Sequence, residues 1–285
     1  MKSKRIGIVG LGWVAGAHIE AFKSVRGADV TAVCSRRPLD PAALEAQYGI
    51  ALGIHNDFDS MLADPEIDII DICTPHPLHP AQAIAAARAG KHLIIEKPIG
   101  IRWEDCVAVR DAIRENGVQA CVCFEVRWSR HAQAAHATIA QGHLGDIHLG
   151  EVDYFHGIGP WYGQYEWNRL AEVGGSSLLT AGCHALDLLR HFMDGEIVEV
   201  SSYQTRSTHP AFAAYEYPTT SVSLMRFADG RIGKTTSCID CVQPYYFHLH
   251  LVGSRGSMLD NKFTATGWPG MDKDIWNQLG VPTVD

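Results

Sequence analysis

Long apolar runs are missing from this 285-residue chain, and no stretch approaches the roughly 20 consecutive apolar residues that cross a bilayer. Its start, MKSKRIGIVG, is broken by glycines and lacks the cleavage-site pattern of a secretory signal, so we interpret it as a first strand and expect a cytoplasmic protein. An excess of positive charge is missing too, because the formal net charge is −8. We therefore expect neither a membrane nor a nucleic acid as a partner.

The chain also lacks the cysteine spacing of a zinc or disulfide framework. Most of its eight cysteines lie inside apolar runs, as buried free thiols do. Cys238 and Cys241 form a lone CxxC, and a zinc or redox site would need further partners or a helix N-terminus. His248 and His250 share one face of a predicted strand, but the sequence indicates no third ligand beside them. We expect no metal.

What the chain does have is an alternation of short β-rich runs and helical patterns over its first 120 residues. Six strands joined by helical crossovers predict an α/β fold with a Rossmann-type, doubly wound parallel sheet, and ligands at the carboxyl ends of its strands. The predicted strands are Arg5–Val9, Val30–Ser35, Gly49–Ile54, Ile67–Cys73, His92–Glu96 and Val118–Phe124.

After about residue 123 the pattern changes to long strands with polar alternation, a helix over His131–Gln141 and a glycine-flanked helix, GGSSLLTAGCHALDLLRHFM. It predicts an α+β domain with an open, mostly antiparallel sheet. We assign residues 1–122 to dinucleotide binding and 123–285 to substrate binding and oligomerisation. Because an open sheet face needs covering, we expect a homodimer or homotetramer. The strands lie in HLGEVDYFH, EIVEVSSYQTRS, TSVSLMRF, RIGKTTSCI and YYFHLHLVG.

The stretch VGLGWVAGAH follows the first predicted strand and opens a helix. Gly10 permits a tight turn, Gly12 lets backbone approach a pyrophosphate, and Ala15 allows close packing of helix on strand. Trp13 and Val14 lie in the same loop, and the helix N-terminus offers N–H groups to phosphates. The pattern predicts dinucleotide binding; the alternative is a glycine-rich turn without a ligand.

The end of the second predicted strand indicates which dinucleotide is bound. NAD enzymes often carry an acid there for the ribose diol, whereas this chain reads AVCSRRP. Ser35 offers a hydroxyl, and Arg36 and Arg37 offer guanidinium groups that suit a 2′-phosphate. We predict NADP, with NAD as the alternative cofactor; in the other interpretation these arginines are surface charges.

The string HLIIEKPIG places a cation at the end of a buried strand. Pro98 restricts Glu96 and Lys97 to an extended or turn geometry. A lysine held at that strand end can bind a substrate hydroxyl and lower its pKa, or donate a proton in the reverse reaction. We therefore predict that Lys97 is catalytic.

Four motifs together, GLGWVAGAH, DICTPHPLH, AGKHLIIEKP and GGSSLLTAGCHALD, resemble the signatures of the Gfo/Idh/MocA oxidoreductases over essentially the whole chain. The resemblance implies a Rossmann domain plus an open-faced α/β domain. It implies NAD(P)-linked hydride transfer at a secondary alcohol of a sugar, cyclitol or related compound, and a cis bond before Pro98. The residues that it assigns to the nicotinamide site are Thr74, Pro75, His79, Glu96 and Lys97.

The family's second catalytic element is a helix with the pattern Asp-x-x-x-His. His184 takes the histidine position, Asp187 continues the helix face, and Thr180 replaces the aspartate. Threonine can hydrogen-bond a substrate hydroxyl, but it cannot support an imidazolium as a carboxylate would. We assign His184 and Thr180 to the site; the alternative for His184 is a helix histidine buried against the sheet.

The resemblance also implies substrate contacts just upstream of the paired glycines, although surface packing of a sheet or subunit interface is an alternative. Relative to the family pattern, we expect a C-terminal domain that is shortened at GVPTVD. Two rival functions stay open: a glycoside hydrolase that oxidises a sugar transiently, and a dinucleotide-binding protein without catalysis. The substrate-contact candidates are Tyr154, His156, Trp161, Trp167 and Arg169.

Overall fold

The computed structural model describes residues 3–157, 166–268 and 270–282. The chain divides into two compact units, Met1–Cys123 (unit 1) and Phe124–Asp285 (unit 2), one residue after the junction assigned above. No helix within the described ranges is both long and apolar enough to cross a membrane.

Unit 1 contains the doubly wound parallel sheet that the sequence predicts. Its strand order is β3-β2-β1-β4-β5-β6, so the winding direction reverses between β1 and β4, where such folds bind ligands. The strands are β1 (Lys4–Val9), β2 (Ala28–Cys34), β3 (Gly53–His55), β4 (Ile69–Ile72), β5 (His92–Ile95) and β6 (Ala120–Val122).

The helices of unit 1 show local capping signals that fix their ends. The Asp40 carboxylate accepts a hydrogen bond from the N–H of Ala42, Pro41 is the first helical residue of α2, and Gly49 ends the helix with a positive φ of 67°. The helices are α1 (Trp13–Phe22), α2 (Pro41–Tyr48), α3 (Phe58–Ala63), α4 (His79–Arg88) and α5 (Trp103–Glu115), with a 3-10 turn at His76–Leu78.

Two predicted strand positions in unit 1 are wrong. Residues 49–52 belong to the end of α2 and the turn after it, so the strand predicted at Gly49–Ile54 is only β3, Gly53–His55. The strand predicted at Val118–Phe124 shortens to β6, because Phe124 already precedes a 3-10 turn. In both cases the apolar pattern predicts a strand at residues that instead cap a neighbouring helix or 3-10 turn.

Unit 2 is built on an eight-stranded sheet with the order β14-β13-β12-β11-β7-β10-β9-β8. β7 and β10 pair in parallel and the other described pairs in this sheet are antiparallel, which confirms the predicted mostly antiparallel sheet. The strands are β7 (Ile147–Phe155), β8 (Ile197–Thr205), β9 (Thr220–Phe227), β10 (Ile232–Cys238), β11 (Tyr246–Gly253), β12 (Gly256–Leu259), β13 (Lys262–Ala265) and β14 (Asn277–Gln278).

One face of this sheet packs against the last described helix of the unit, and the other face exposes apolar side chains such as Leu224 and Ile232. At Gly150 of β7, an added Cβ would lie 2.6 Å from the Met193 sulfur, so only glycine lets the last helix approach so closely. The predicted helix His131–Gln141 is found as Arg130–Ala140. The helices are α6 (Arg130–Ala140), α7 (Ala171–Gly174) and α8 (Cys183–Met193); a π-helical turn (Leu178–Gly182) precedes α8, and 3-10 turns lie at Glu125–Trp128, Glu166–Arg169 and Pro210–Phe212.

Candidate active site

The glycine turn between β1 and α1 has the shape that a dinucleotide phosphate needs. Gly10 has φ +90°, and an added Cβ would lie 2.7 Å from Thr74 Cγ2. Gly12 is exposed with nothing within 4 Å of its Cβ position, and no side chain caps the helix that begins at Trp13. Ala15 is fully buried beneath, so the N–H groups of α1 face open space that can hold a pyrophosphate.

Trp13 and Val14 differ in exposure within this turn. Trp13 is 60% exposed, whereas Val14 packs partly against the core of unit 1. A large exposed aromatic side chain at the start of α1 is therefore available to a bound ligand.

Arg36 and Arg37, which follow β2, have different surroundings. The guanidinium of Arg37 donates to the carbonyl of Leu11 at 2.6 Å, and its backbone N–H donates to Ser35 Oγ at 3.2 Å. Arg37 therefore ties the end of β2 to the glycine turn. Arg36 is exposed at the same strand end, where a 2′-phosphate would be recognised.

Lys97 lies at the carboxyl end of β5, half-buried beside Glu96. Its backbone N–H donates to Glu96 Oε2 at 3.1 Å. The Lys97–Pro98 peptide bond is cis, as the family resemblance implies.

His79 is completely buried, and its predicted place at the nicotinamide loop stays a prediction. Its Nδ1 lies 2.8 Å from the carbonyl oxygen of Pro98 and its Nε2 lies 2.6 Å from that of Thr74. Burial lowers its pKa. His79 thus links the loop after β4, which contains Thr74, to the loop after β5, which contains Pro98. Thr74 and Pro75 are partly exposed, and the Thr74 hydroxyl donates to Gln82 Oε1 at 2.6 Å.

His18 joins the glycine-turn helix to two strand ends, a role that the sequence reasoning missed. Its Nδ1 lies 2.8 Å from Asp71 Oδ2, and its Nε2 lies 3.2 Å from Glu96 Oε1. Burial acts to lower the pKa of His18, but hydrogen bonds with Asp71, Cys123, Cys73 and Glu96 outweigh it and raise the pKa. An imidazolium between two carboxylates therefore holds Glu96 in place.

The sequence carried one signal for this network: Asp71 is an acid inside the apolar strand IDIIDIC, and the structure buries it completely. Cys73 and Cys123 complete two groups that bring possible metal ligands within 4.8 Å of one another around His18. Burial raises the pKa of both thiols, that of Cys123 to about 11, although a metal needs thiolate. Both ring nitrogens of His18 already hydrogen-bond to carboxylates, so the geometry favours a protonated His18 over a bound metal ion.

In unit 2 the three residues predicted on one helix face have different partners. The Thr180 hydroxyl is buried and donates to the carbonyl of Gly174 at 2.9 Å. His184 is also buried, with its Nε2 3.5 Å from Glu125 Oε1. Asp187 pairs with Arg127. Thr180 lies within the π-helical turn that precedes α8, so the simple α-helical spacing behind the prediction does not hold between Thr180 and His184.

The residues predicted to contact the substrate differ in how far their side chains are buried. Tyr154 belongs to the hydrophobic core of unit 2, with its ring centroid 5.1 Å from that of Phe247, and its contact with substrate stays a prediction. His156 is half-buried, and burial lowers its pKa. Trp167 and Arg169 are partly exposed on the 3-10 turn Glu166–Arg169, and Trp161 lies outside the described residues.

Comparison with known families decides the affiliation of the chain. A family model described as "Oxidoreductase family, NAD-binding Rossmann fold" matches residues 4–124, and one described as "GFO/IDH/MocA C-terminal domain" matches residues 132–259. The chain belongs to the GFO/IDH/MocA oxidoreductase family. The two matches cover most of both units, so the glycine turn and the segment Glu96–Pro98 stand in the NAD-binding domain of this family.

Relatives in this family carry dehydrogenase names. The chain is 29% identical over 214 residues to a levoglucosan dehydrogenase from Pseudarthrobacter phenanthrenivorans, covering 71% of this chain and 54% of that protein. It is 23% identical over 262 residues to a myo-inositol 2-dehydrogenase from Thermotoga maritima, covering 92% and 76%. A 1-carboxy-3-chloro-3,4-dihydroxycyclo hexa-1,5-diene dehydrogenase from Comamonas testosteroni is 28% identical over 219 residues, or 74% and 54%.

The chain spans about half the length of several curated relatives. The aligned region covers 54% of the Comamonas testosteroni protein and 48% of a 4-carboxy-2-hydroxymuconate-6-semialdehyde dehydrogenase from Sphingobium sp.. Among solved structures, levoglucosan dehydrogenase in complex with NADH superimposes with a TM-score of 0.85 at 23% identity, covering 99% of this chain and 80% of that one. This likeness establishes the fold of this GFO/IDH/MocA member.

Proposed function

We propose that this protein is an NADP-preferring oxidoreductase that transfers hydride between a nicotinamide cofactor and a secondary alcohol or ketone of a sugar, cyclitol or sugar derivative. The observation that carries the proposal is Lys97, half-buried beside Glu96 at the carboxyl end of β5. The glycine turn follows β1 at the same edge of the sheet. Relatives named as levoglucosan and myo-inositol dehydrogenases support the substrate class.

Lys97 is the proposed acid–base residue. A bound nicotinamide would accept or supply the hydride. In ketone reduction the Lys97 ammonium would donate a proton to the carbonyl oxygen, and in alcohol oxidation the neutral Lys97 amine would accept the hydroxyl proton. Burial acts to raise the pKa of Glu96, but its hydrogen bond with His18 and the charge of Lys97 outweigh burial and lower it. Glu96 therefore stays a carboxylate that accepts a hydrogen bond from the backbone N–H of Lys97.

From unit 2, we assign His184 the partner role in proton transfer and Thr180 a hydroxyl contact to substrate. Because the Thr180 hydroxyl donates its proton to Gly174, it would accept a hydrogen bond from the substrate rather than donate one. His156, Trp167 and Arg169 are further proposed substrate contacts, and their mixture of aromatic and polar groups suits a sugar ring.

The preference for NADP rests on Arg36 and on the absence of an acid from the segment AVCSRRP. NAD is the alternative, since solved structures of this fold include a levoglucosan dehydrogenase and a WlbA dehydrogenase from Bordetella pertussis in complex with NADH. The proposal also includes a homodimer or homotetramer and a cytoplasmic location. All eight cysteines lie within the described residues as thiols, which is typical of a reducing compartment.

Fluorescence titration with NADPH and with NADH tests the cofactor preference. Wild type should bind NADPH more tightly, and Arg36→Ala should weaken NADPH binding about tenfold or more, because a charge-assisted hydrogen bond contributes roughly 1.5–3 kcal/mol. NADH binding should change little. Arg88→Ala, in the last turn of α4, is the matched control. Tighter binding of NADH by wild type would instead support NAD.

A transient-oxidation hydrolase is the second candidate, and threonine in place of the family aspartate at position 180 favours it. The two functions differ in their products: a dehydrogenase accumulates reduced cofactor when substrate is added, whereas the hydrolase returns its hydride. Absorbance of the reduced nicotinamide, followed alongside release of the cleaved sugar, separates them.

A further inference from the structure

We propose that Glu151, His248 and His250 form a binding site for a divalent transition-metal ion, with Zn²⁺ as its representative, on the face of the unit 2 sheet that exposes apolar side chains. One ligand atom from each residue lies within 4.8 Å of the others. The site goes beyond the proposed oxidoreductase function and does not depend on it.

Sheet geometry brings the three side chains together. His248 and His250 are two residues apart on β11 and therefore project from the same face. β7 is the antiparallel neighbour of β11, and Glu151 is directly opposite His250 in their register. All three side chains are half-buried in the single chain, so the sheet holds their positions and a hydrated ion can reach them before copies associate over this face.

Asp260 orients His248 in the manner that metal-binding histidines require. Asp260 Oδ1 accepts from His248 Nδ1 at 3.0 Å and from the backbone N–H of Leu249 at 3.1 Å. A proton on Nδ1 places the lone pair on Nε2, the nitrogen that would bind the ion. Metal-ligating histidines typically bond to a carboxylate in this way.

The charge around the site favours a cation, although one lysine opposes it. The carboxylates of Glu151 and Asp153 pair with the Lys234 ammonium, and that of Asp260 pairs with His248, so among these contacts the carboxylates outnumber the ammonium. Lys234 Nζ lies 2.5 Å from Glu151 Oε1 and 2.7 Å from Asp153 Oδ2. Asp153 can keep the lysine when Glu151 turns to the ion, and a carboxylate has lone pairs for both partners.

The ligand types point to zinc-like ions rather than magnesium or calcium. Two imidazole nitrogens and one carboxylate oxygen suit borderline ions such as Zn²⁺ and Co²⁺, whereas Mg²⁺ and Ca²⁺ prefer oxygen ligands throughout. Three protein ligands leave a fourth tetrahedral position open. The groups around His18 in unit 1 differ because each contains a cysteine.

Calorimetric titration of the full chain with Zn²⁺, in the absence of nicotinamide, tests the site. Wild type should bind one ion that the double variant His248→Ala/His250→Ala does not bind. Asp260→Asn should weaken binding about 10- to 100-fold, as loss of an outer carboxylate partner typically does. Asparagine tolerates the positive φ of 51° at this position and can still accept from Leu249, so the turn should persist.

His148→Ala, on the same β7 strand but outside the cluster, is the matched control and should bind zinc like wild type. The Co²⁺ spectrum of wild type should lack thiolate-to-cobalt charge-transfer bands, which would arise from the cysteine-containing groups of unit 1. Equal zinc stoichiometry and affinity in wild type and a folded double variant would overturn the proposal. Unchanged affinity in Asp260→Asn, or a thiolate spectrum for the bound Co²⁺, would also overturn it.

Discussion

The side chain of His18 connects three parts of unit 1 that the sequence separates widely. Asp71 is 53 residues away and Glu96 is 78 residues away, yet both carboxylates bond to the same imidazole. Glu96 in turn precedes Lys97, so the position of the proposed acid–base residue depends on a histidine in the helix that follows the glycine turn. A substitution at His18 is therefore expected to alter the position of Glu96 and Lys97, although His18 itself is not a predicted ligand contact.

Replacing Lys97 tests the proposed chemistry most directly. Once a substrate is found by screening sugars and cyclitols, Lys97→Ala should lower kcat about 10²- to 10⁴-fold, because general acid–base catalysis contributes that much. Affinity for the nicotinamide cofactor, measured by fluorescence titration, should stay within a few-fold of wild type. Full activity in this variant would contradict the proposed role of Lys97 as the acid–base residue.

The charge of His18 predicts a pH dependence of stability. Its pKa is raised on folding, so its contribution is complete below the ordinary value of 6.5 and is lost as pH rises toward the folded pKa. Between about pH 7 and 8.5, the free energy of unfolding should fall by about 1.4 kcal/mol per pH unit because of this single proton.

Urea denaturation of wild type and of the double variant His18→Gln/Asp71→Asn measures this slope. The variant keeps hydrogen-bonding groups but carries neither charge, so its slope should be shallower by that amount. His148→Gln, at an exposed position in unit 2, should keep the wild-type slope. Parallel pH profiles for wild type and the double variant would mean that His18 is neutral in the folded chain.

At the scale of elements, the glycine turn offers a matched pair of substitutions. Gly10→Ala should destabilise the fold by roughly 1–3 kcal/mol, because the site has φ +90° and its Cβ would lie 2.8 Å from the backbone of Cys73. Gly12→Ala meets no atom within 4 Å and should cost less than about 1 kcal/mol. Denaturation curves compare the two effects.

NADPH affinity should separate the Gly10→Ala and Gly12→Ala variants in the opposite order, because the less destabilised variant, Gly12→Ala, should lose affinity. If a pyrophosphate packs on Gly12, the methyl group of Gly12→Ala occupies its place, and fluorescence titration should show lost NADPH affinity in a well-folded protein. Unchanged NADPH affinity in Gly12→Ala would contradict the proposed phosphate position.

The elements also show where sequence patterns succeed. The parallel sheet of unit 1 follows from its alternation of apolar strands and helices. The apolar run after Gly49 misled the prediction of the third strand, because its first residues form a helix end and a turn. No periodicity in GGSSLLTAG marks the π-helical turn before α8, since its hydrogen-bond shift depends on packing rather than on composition.

At the scale of the whole molecule, the open sheet face of unit 2 is the main reason to expect an oligomer. Leu224 and Ile232 are each about half exposed on neighbouring strands. Light scattering after size-exclusion chromatography should give a dimeric or tetrameric mass for wild type and a smaller mass for Leu224→Lys, because an ammonium buried in an apolar interface is costly.

Val25→Lys places the same charge on an exposed apolar position of unit 1 and should leave the mass unchanged. A monomeric wild type, or an unchanged mass in Leu224→Lys, would exclude this face as the contact between copies.

The amino-acid sequence by itself determined the two-part architecture, the glycine turn and the strand end that carries Lys97. These features depend on local patterns, such as apolar alternation, glycine and proline positions, and a charge at the end of an apolar run. Tertiary structure alone decided that His18 bridges Asp71 and Glu96, that His79 is buried, and that Glu151 lies opposite His250. Such contacts depend on strand order and register, which arise from packing across the whole sheet and are not encoded in any short segment.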